Sequence, residues 1–221
     1  NSPSHPALLD WLAHQFIQEG WSRKKLIRKI VTSQTYRQSS RHRPELNAYD
    51  PDNSLLHRQN RKRVEAEIIR DLHLSVSGLL AHRIGGSSVF PPIPPDVAAQ
   101  SFANNFQWKV SKGPDRYRRG MYTFFKRTAP APNLMTFDCP DSNTSVTRRN
   151  ISNTPLMALT TLQNEVFHEA AQALARRIKS NSDLDTDHKR VDQLFLLSLS
   201  RRPSPSERDI VVRLLADNRT H

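Results

Sequence analysis

Along this chain, stretches whose apolar residues recur every three or four positions alternate with long stretches that have no period. Leu8, Leu9, Leu12, Phe16 and Ile17, with Trp11 beside them, predict a first helix capped by Ser4, with Pro6 in its first turn and a stop at Gly20. Ser22 predicts the start of a second helix, whose apolar face is Leu26, Ile27, Ile30 and Val31. A long third helix is predicted from about Val64 to Ala81, carrying Ile68, Ile69, Leu72, Val76, Leu79 and Leu80, and ended by Gly85-Gly86. Periodicity returns late in the chain. Thr154 as cap and Pro155 at the first position predict one helix through Lys179, another follows around His188 to Ser200, and a capping box at Ser204 to Glu207 starts a terminal helix ending near Asp217.

Between these helices the pattern differs. Residues 37–60 are rich in Arg, Asn, Pro and Asp, and predict an ordered irregular connection or lid. From Ser87 to Gly120 there is little period, and FPPIPPD cannot be helix interior because proline removes donors and clashes with the preceding turn. Met121 to Phe125 predicts one short strand, with Leu134 to Phe137 either its partner or a single helical turn. The fold class is therefore mainly α, with long ordered loops and at most a short two-stranded element. The chain divides into N-terminal helices (1–83), an irregular aromatic and basic centre (84–153) and C-terminal helices (154–221).

Charge sharpens this picture. The net charge is +12, and it is concentrated in residues 1–159, because residues 160–221 carry 10 Lys/Arg against 9 Asp/Glu. Such a field favours an anionic partner, whether polysaccharide, lipid surface, acidic protein or nucleic acid, without specifying which. Nucleic acid is the weaker candidate, since it further requires a continuous basic stripe with exposed aromatics such as Trp108 or Tyr117. No apolar run is long enough to span a membrane, and the opening NSPSHPALLD has no signal-peptide pattern. Cys139 is the single cysteine, so neither a disulfide nor a haem-attachment motif can form within the chain.

The candidate chemistry centres on residues 119–163. Asp138 and Asp141 are oxygen ligands three apart, but they lack the calcium-loop spacing and are flanked by Lys126, Arg127, Arg148 and Arg149. An internal Asp/Arg network, joined by Arg119, is the preferred reading. Arg148, Arg149 and Asn150, followed by the Thr154 helix start, also suit a carboxylate, sulfate or phosphate, which Asp138 or Asp141 could itself supply. Glu67 and Asp71 on the third helix are expected to reach Arg61, Arg63 or Arg70, and Glu67, Asp138 and Asp141 are the carboxylates available to a hydrolase. Cys139 reads as a buried small hydrophobe whose thiol nearby carboxylates would make less acidic. No zinc, phosphate-loop, dinucleotide or nucleophile-elbow motif occurs, so no catalytic set or cofactor is assigned to this chain.

SHPALLDWLA, KLIRKIVTSQTYRQSS, RVEAEIIRDLHLSVSG, RGMYTFFKR, LMTFDCPDSNTSVTRRNISNTPLMALTTLQN and LFLLSLSRRPSPSERD occur in order along nearly the whole sequence. In these blocks the chain resembles the C-terminal domain of unknown function 1553, the PSD-type domain of large exported planctomycete and verrucomicrobial proteins. That resemblance implies a single helical domain over residues 1–221, shortened at its N-terminus, in an exported, periplasmic or cell-envelope setting. It further implies haem c in neighbouring domains of the parent protein, a role in docking, electron transfer or polysaccharide use, and no transferable catalytic residues. Its motif-matched positions are Arg119, Arg127, Asp138, Asp141, Arg148, Arg149, Asn150, Thr154 and Pro155.

Overall fold

The computed structural model describes residues 2–98 and 106–219, so part of the predicted irregular stretch, 99–105, lies outside the described residues. It is mainly helical, with ten α-helices among those residues. They group into two compact units, Asn1–Arg63 and Val64–His221.

In the first unit, α1 (Pro6–Gln18), α2 (Arg23–Thr32) and the single turn α3 (Gln34–Arg37) follow one another. The cap of α1 is His5 rather than Ser4, whose hydroxyl instead meets the His5 ring at 2.9 Å. Ser22 caps α2 as predicted, accepting from the Lys25 N–H. Lys29 ties α2 to α1 by donating to Glu19 at 2.7 Å and Gln15 at 2.9 Å. None of the residues of these three helices is buried, and Leu8, Leu9, Trp11, Ile17, Ile27, Ile30 and Val31 all remain exposed. What this unit buries is polar. Asp50 accepts from the N–H groups of Ser54 and Leu55 at 2.7 and 2.8 Å, while Asn53, 2% exposed, binds the Arg58 carbonyl, the Arg58 N–H and the Asn60 side chain. Asn53 adopts φ 55°, a left-handed conformation that Asn tolerates better than most residues.

The second unit is built on α4 (Ala66–Ser77), which packs along α8 (Glu165–Lys179). The predicted third helix stops early, because Gly78 takes φ 82° and its N–H closes back on the last turn. Arg177 from α8 then covers the exposed end, donating to the Val76 carbonyl at 2.8 Å. The single long helix predicted after Pro155 is two helices, α7 (Pro155–Gln163) and α8, since Asn164 leaves helical geometry and its side chain caps the Val166 N–H. Helices α9 (Asp187–Leu199) and α10 (Pro205–Asp217) complete the unit, clamped by Arg208 donating to both oxygens of Asp192 at 2.8 and 3.1 Å. The Ser204/Glu207 capping box is present.

Two short helices, α5 (Pro95–Ala98) and α6 (Pro132–Thr136), interrupt the irregular centre. The predicted strand at Met121–Phe125 is a turn at Gly120–Tyr122 followed by a single bridge between Thr123 and Val89, and Leu134–Phe137 takes the helical alternative within and just after α6. Phe90, Phe106, Trp108 and Phe124 order this region as one ring cluster, with neighbouring centroids 4.9 to 6.3 Å apart. The main core unites Ala66 of α4, Ala131, Leu134, Phe137, Cys139, Met157 and Phe167. Gly120 lies directly against α4, where an added Cβ would stand 2.6 Å from the Glu67 carbonyl oxygen. Gly120→Ala should therefore force α4 and the turn apart and cost about 3 kcal/mol, measured as a lower midpoint of urea denaturation.

Candidate functional site

The charged centre of the second unit is organised along one face of α4. Helical spacing places Glu67, Arg70 and Asp71 within reach of the irregular segments that fold over it. Glu67 receives both arms of Arg149, at 2.7 and 3.1 Å. Asp71 receives the Arg119 Nε at 2.8 Å and the Gly120 N–H at 2.6 Å. Arg70, 4% exposed, donates to the Arg116 carbonyl at 2.7 Å and the Arg118 carbonyl at 3.3 Å. Burial pulls Arg70 down to about 10, and it stays cationic at neutral pH.

Arg118 is completely buried. Its guanidinium donates to the carbonyls of Ser87 at 2.9 Å, Arg83 at 3.3 Å and Gly85, while lying 3.7 Å from the centre of the Tyr122 ring. Arg116 reaches the other way, to Glu165 at 2.6 Å and to both oxygens of Glu169 on α8. The Glu169 hydrogen bonds, opposed by burial and helped by Glu165, hold Arg116 well above the usual arginine range. These contacts form a brace joining α4 and α8 to residues 83–87, 116–120 and Arg149.

The residues singled out in the sequence fall around this brace rather than at a common point. Arg119 and Arg149 belong to it, through Asp71 and Glu67. Asp138, at φ 63°, accepts from the N–H and hydroxyl of Ser152 at 2.8 and 2.7 Å. Asp141 accepts twice from Asn143, at 3.0 Å each. Those bonds, opposed slightly by desolvation and aided by Arg127, hold Asp141 below the usual carboxylate range. Lys126 sits 5.1 Å over the Phe106 ring. Arg148, Asn150 and Thr154 are exposed, and the Thr154 N–H meets the Met157 sulfur at 3.5 Å. Trp108 is packed into the ring cluster, with its indole N–H on the Pro91 carbonyl.

Sequence spacing did not reveal the long-range partners of the brace. Glu67 and Arg149 are 82 positions apart, and Arg70 and Arg118 act mainly on backbone carbonyls, which carry no sequence signature. One signal was legible: Glu165 and Glu169 lie one helical turn apart, the spacing that presents two carboxylates to a single arginine.

The chemistry of the centre follows from this pairing. Burial raises the Cys139 thiol most, and Glu67, whose Oε1 lies 3.8 Å from the sulfur, raises it further, to about 11. The void beside Arg70, lined by Thr123, Asn133, Leu134 and Phe167, is about 10 Å³, room for one water at most. Among the described residues no group of three or more His, Cys, Asp or Glu could hold a metal ion. No helix among them is long and apolar enough to cross a membrane.

Fold and brace together define a mainly helical module whose central charges are spent on internal contacts. The family described as "Protein of unknown function (DUF1553)", PSD1, matches over residues 1–215, and the chain belongs to it. No curated protein and no solved structure matches the chain.

Burial is the largest single influence on Glu67 and acts upward, but the Arg149 hydrogen bonds, a backbone bond and the arginine charge together hold it below the usual carboxylate range. A depressed carboxylate stabilises the fold above its unfolded pKa and loses that contribution as pH falls through the folded one. Glu67→Gln should thus cost about 1 kcal/mol at pH 7, discounted for the half-open Arg149, and the difference from the parent chain should shrink in urea melts as pH falls through the lowered Glu67 pKa. The Cys139 thiol should react with a disulfide reagent at pH 8 more than about a hundredfold slower than free cysteine, because so little thiolate is present.

Proposed function

We propose that the chain is a non-catalytic docking module, which binds other domains or segments of a larger exported parent protein through its open apolar faces. The observation that carries this reading is the exposed leucine face of α7.

Much of the open surface is apolar. On α7, Leu156, Leu159 and Leu162 point outward at helical spacing, beside an exposed Ile151. Helices α8, α9 and α10 also flank a groove of about 440 Å³ lined by Leu174, Ile178, Val191, Leu194, Val211 and Leu215. Exposed apolar faces of this kind mark protein interaction sites rather than solvent-facing helices. The brace supports the same reading from the other side. A polysaccharide hydrolase needs two carboxyls facing a cleft, and of the three carboxylates available for that role Glu67 is held by Arg149, while Asp138 and Asp141 accept from Ser152 and Asn143.

Hydrogen exchange compares the isolated chain with the full-length parent. Amides of 155–163 should exchange about tenfold more slowly in the parent, and Leu159→Glu with Leu162→Glu should abolish that protection without lowering the denaturation midpoint of the isolated chain. Equal exchange in the two forms would remove the docking assignment.

A further inference from the structure

The first unit contains a cavity that the docking reading does not use. It has a volume of about 580 Å³ and is lined by Ser39, Arg41, His42, Arg43, Pro44, Glu45 and His57. Four of these side chains are basic, against one carboxylate. That carboxylate is already engaged, since Glu45 accepts from Arg43 Nε at 3.2 Å. Hydrogen bonding, first to its own backbone and then from Arg43, with a smaller contribution from His57, holds Glu45 below the usual carboxylate range, so it stays anionic and bound to its arginine.

The cationic groups are less fully occupied. Arg43 makes two hydrogen bonds, to Glu45 and to the His57 carbonyl at 3.3 Å, which leaves three of its five N–H donors. The guanidinium of Arg41 and the ring of His42 have no hydrogen-bond or ion-pair partner among the described residues. Both ring nitrogens of His57 are shielded from solvent and meet no acceptor or donor. An imidazole in that position forgoes two hydrogen bonds, a cost that ordinary packing does not repay.

The walls are tied together rather than loosely apposed. The Gln59 N–H donates to the Ser39 carbonyl at 3.0 Å, Gln38 donates to the Leu56 carbonyl, and Arg61 Nε reaches the Ser40 hydroxyl at 3.4 Å. Behind them the buried Asn53 hub fixes residues 58 and 60, which flank the 57–59 wall. The Arg41 N–H is turned onto the Ser39 hydroxyl at 3.1 Å, which sets the direction of the Arg41 and His42 segment.

We propose that this cavity is a binding site for a tetrahedral oxyanion, a phosphate or sulfate carried free or as an ester. Two guanidinium groups and two imidazoles surround one space, and a tetrahedral anion presents oxygens in several directions at once, whereas a planar carboxylate is satisfied by one arginine fork. The volume exceeds that of a bare ion and admits a sugar-sized carrier. Arg41, His42 and Arg43 supply the donors to the anion, and the His57 ring lies in the same lining beside them.

The test is a titration of the full 221-residue chain with sodium phosphate, sodium sulfate, glucose 6-phosphate and glucose 6-sulfate, at constant ionic strength held with chloride, followed by calorimetry and by the histidine ring resonances. Saturable binding with shifts of the His42 and His57 rings is expected, and tighter binding of the esters than of the bare ions would identify a carried group, the reverse a free anion. Arg41→Ala, at an exposed position, should weaken binding about tenfold, while Lys24→Ala on α2 should leave it unchanged. Shifts that grow linearly without saturation, or spread evenly over basic residues, would overturn the site. So would saturable binding in which the His57 ring does not move or Arg41→Ala has no effect. The ring resonances are read on the unmodified chain, so the outcome does not depend on a His57 variant folding.

Discussion

A backbone that leaves helix and does not enter a sheet must still find partners for its buried N–H and C=O groups, and in this protein arginine supplies them. Arg118 alone takes up carbonyls from Arg83, Gly85 and Ser87, and its own carbonyl is taken by Arg70. Together these contacts replace what a strand ladder would do for residues 83–87 and 116–118. The arrangement depends on α4, since Arg70 can reach two carbonyls only because Gly120 lets the chain lie against the helix backbone. Helix, glycine and guanidinium therefore constrain one another.

Much of the helical architecture was legible in the sequence because its signals are local. Pro155, Ser204 with Glu207, and Ser22 each act within one or two turns, and the helices start where those residues place them. The failures also have local causes. Gly78 and Asn164 sit inside apolar periods that run past them, so periodicity alone carries the third helix through to Ala81 and joins α7 to α8. A glycine with a left-handed conformation or an asparagine that caps the next turn outweighs the continuation of a stripe.

The charged centre was legible only in part. Arg119 and Arg149 were identifiable as members of a charge network, but their partners Asp71 and Glu67 lie 48 and 82 positions away. Asp138 and Asp141, the carboxylates that the sequence reading placed in that network, accept from Ser152 and Asn143 over 14 and 2 positions. Proximity along the chain does not carry a pairing across 48 or 82 positions. The first unit poses the opposite case, for its apolar stripes are plain in sequence yet stay open, and its buried residues are the polar Asp50 and Asn53.

The two kinds of contact in the brace answer differently to their surroundings. Guanidinium on a carbonyl involves no group that titrates in the acid range, whereas the outer strut Glu67–Arg149 depends on an ionised carboxylate. Acid therefore loosens this rim first, releasing the segment that carries Arg149 from α4 while the Arg118 clamp still holds. A protein so built has a soft edge and a hard centre, and its first response to a falling pH is a local opening rather than collapse.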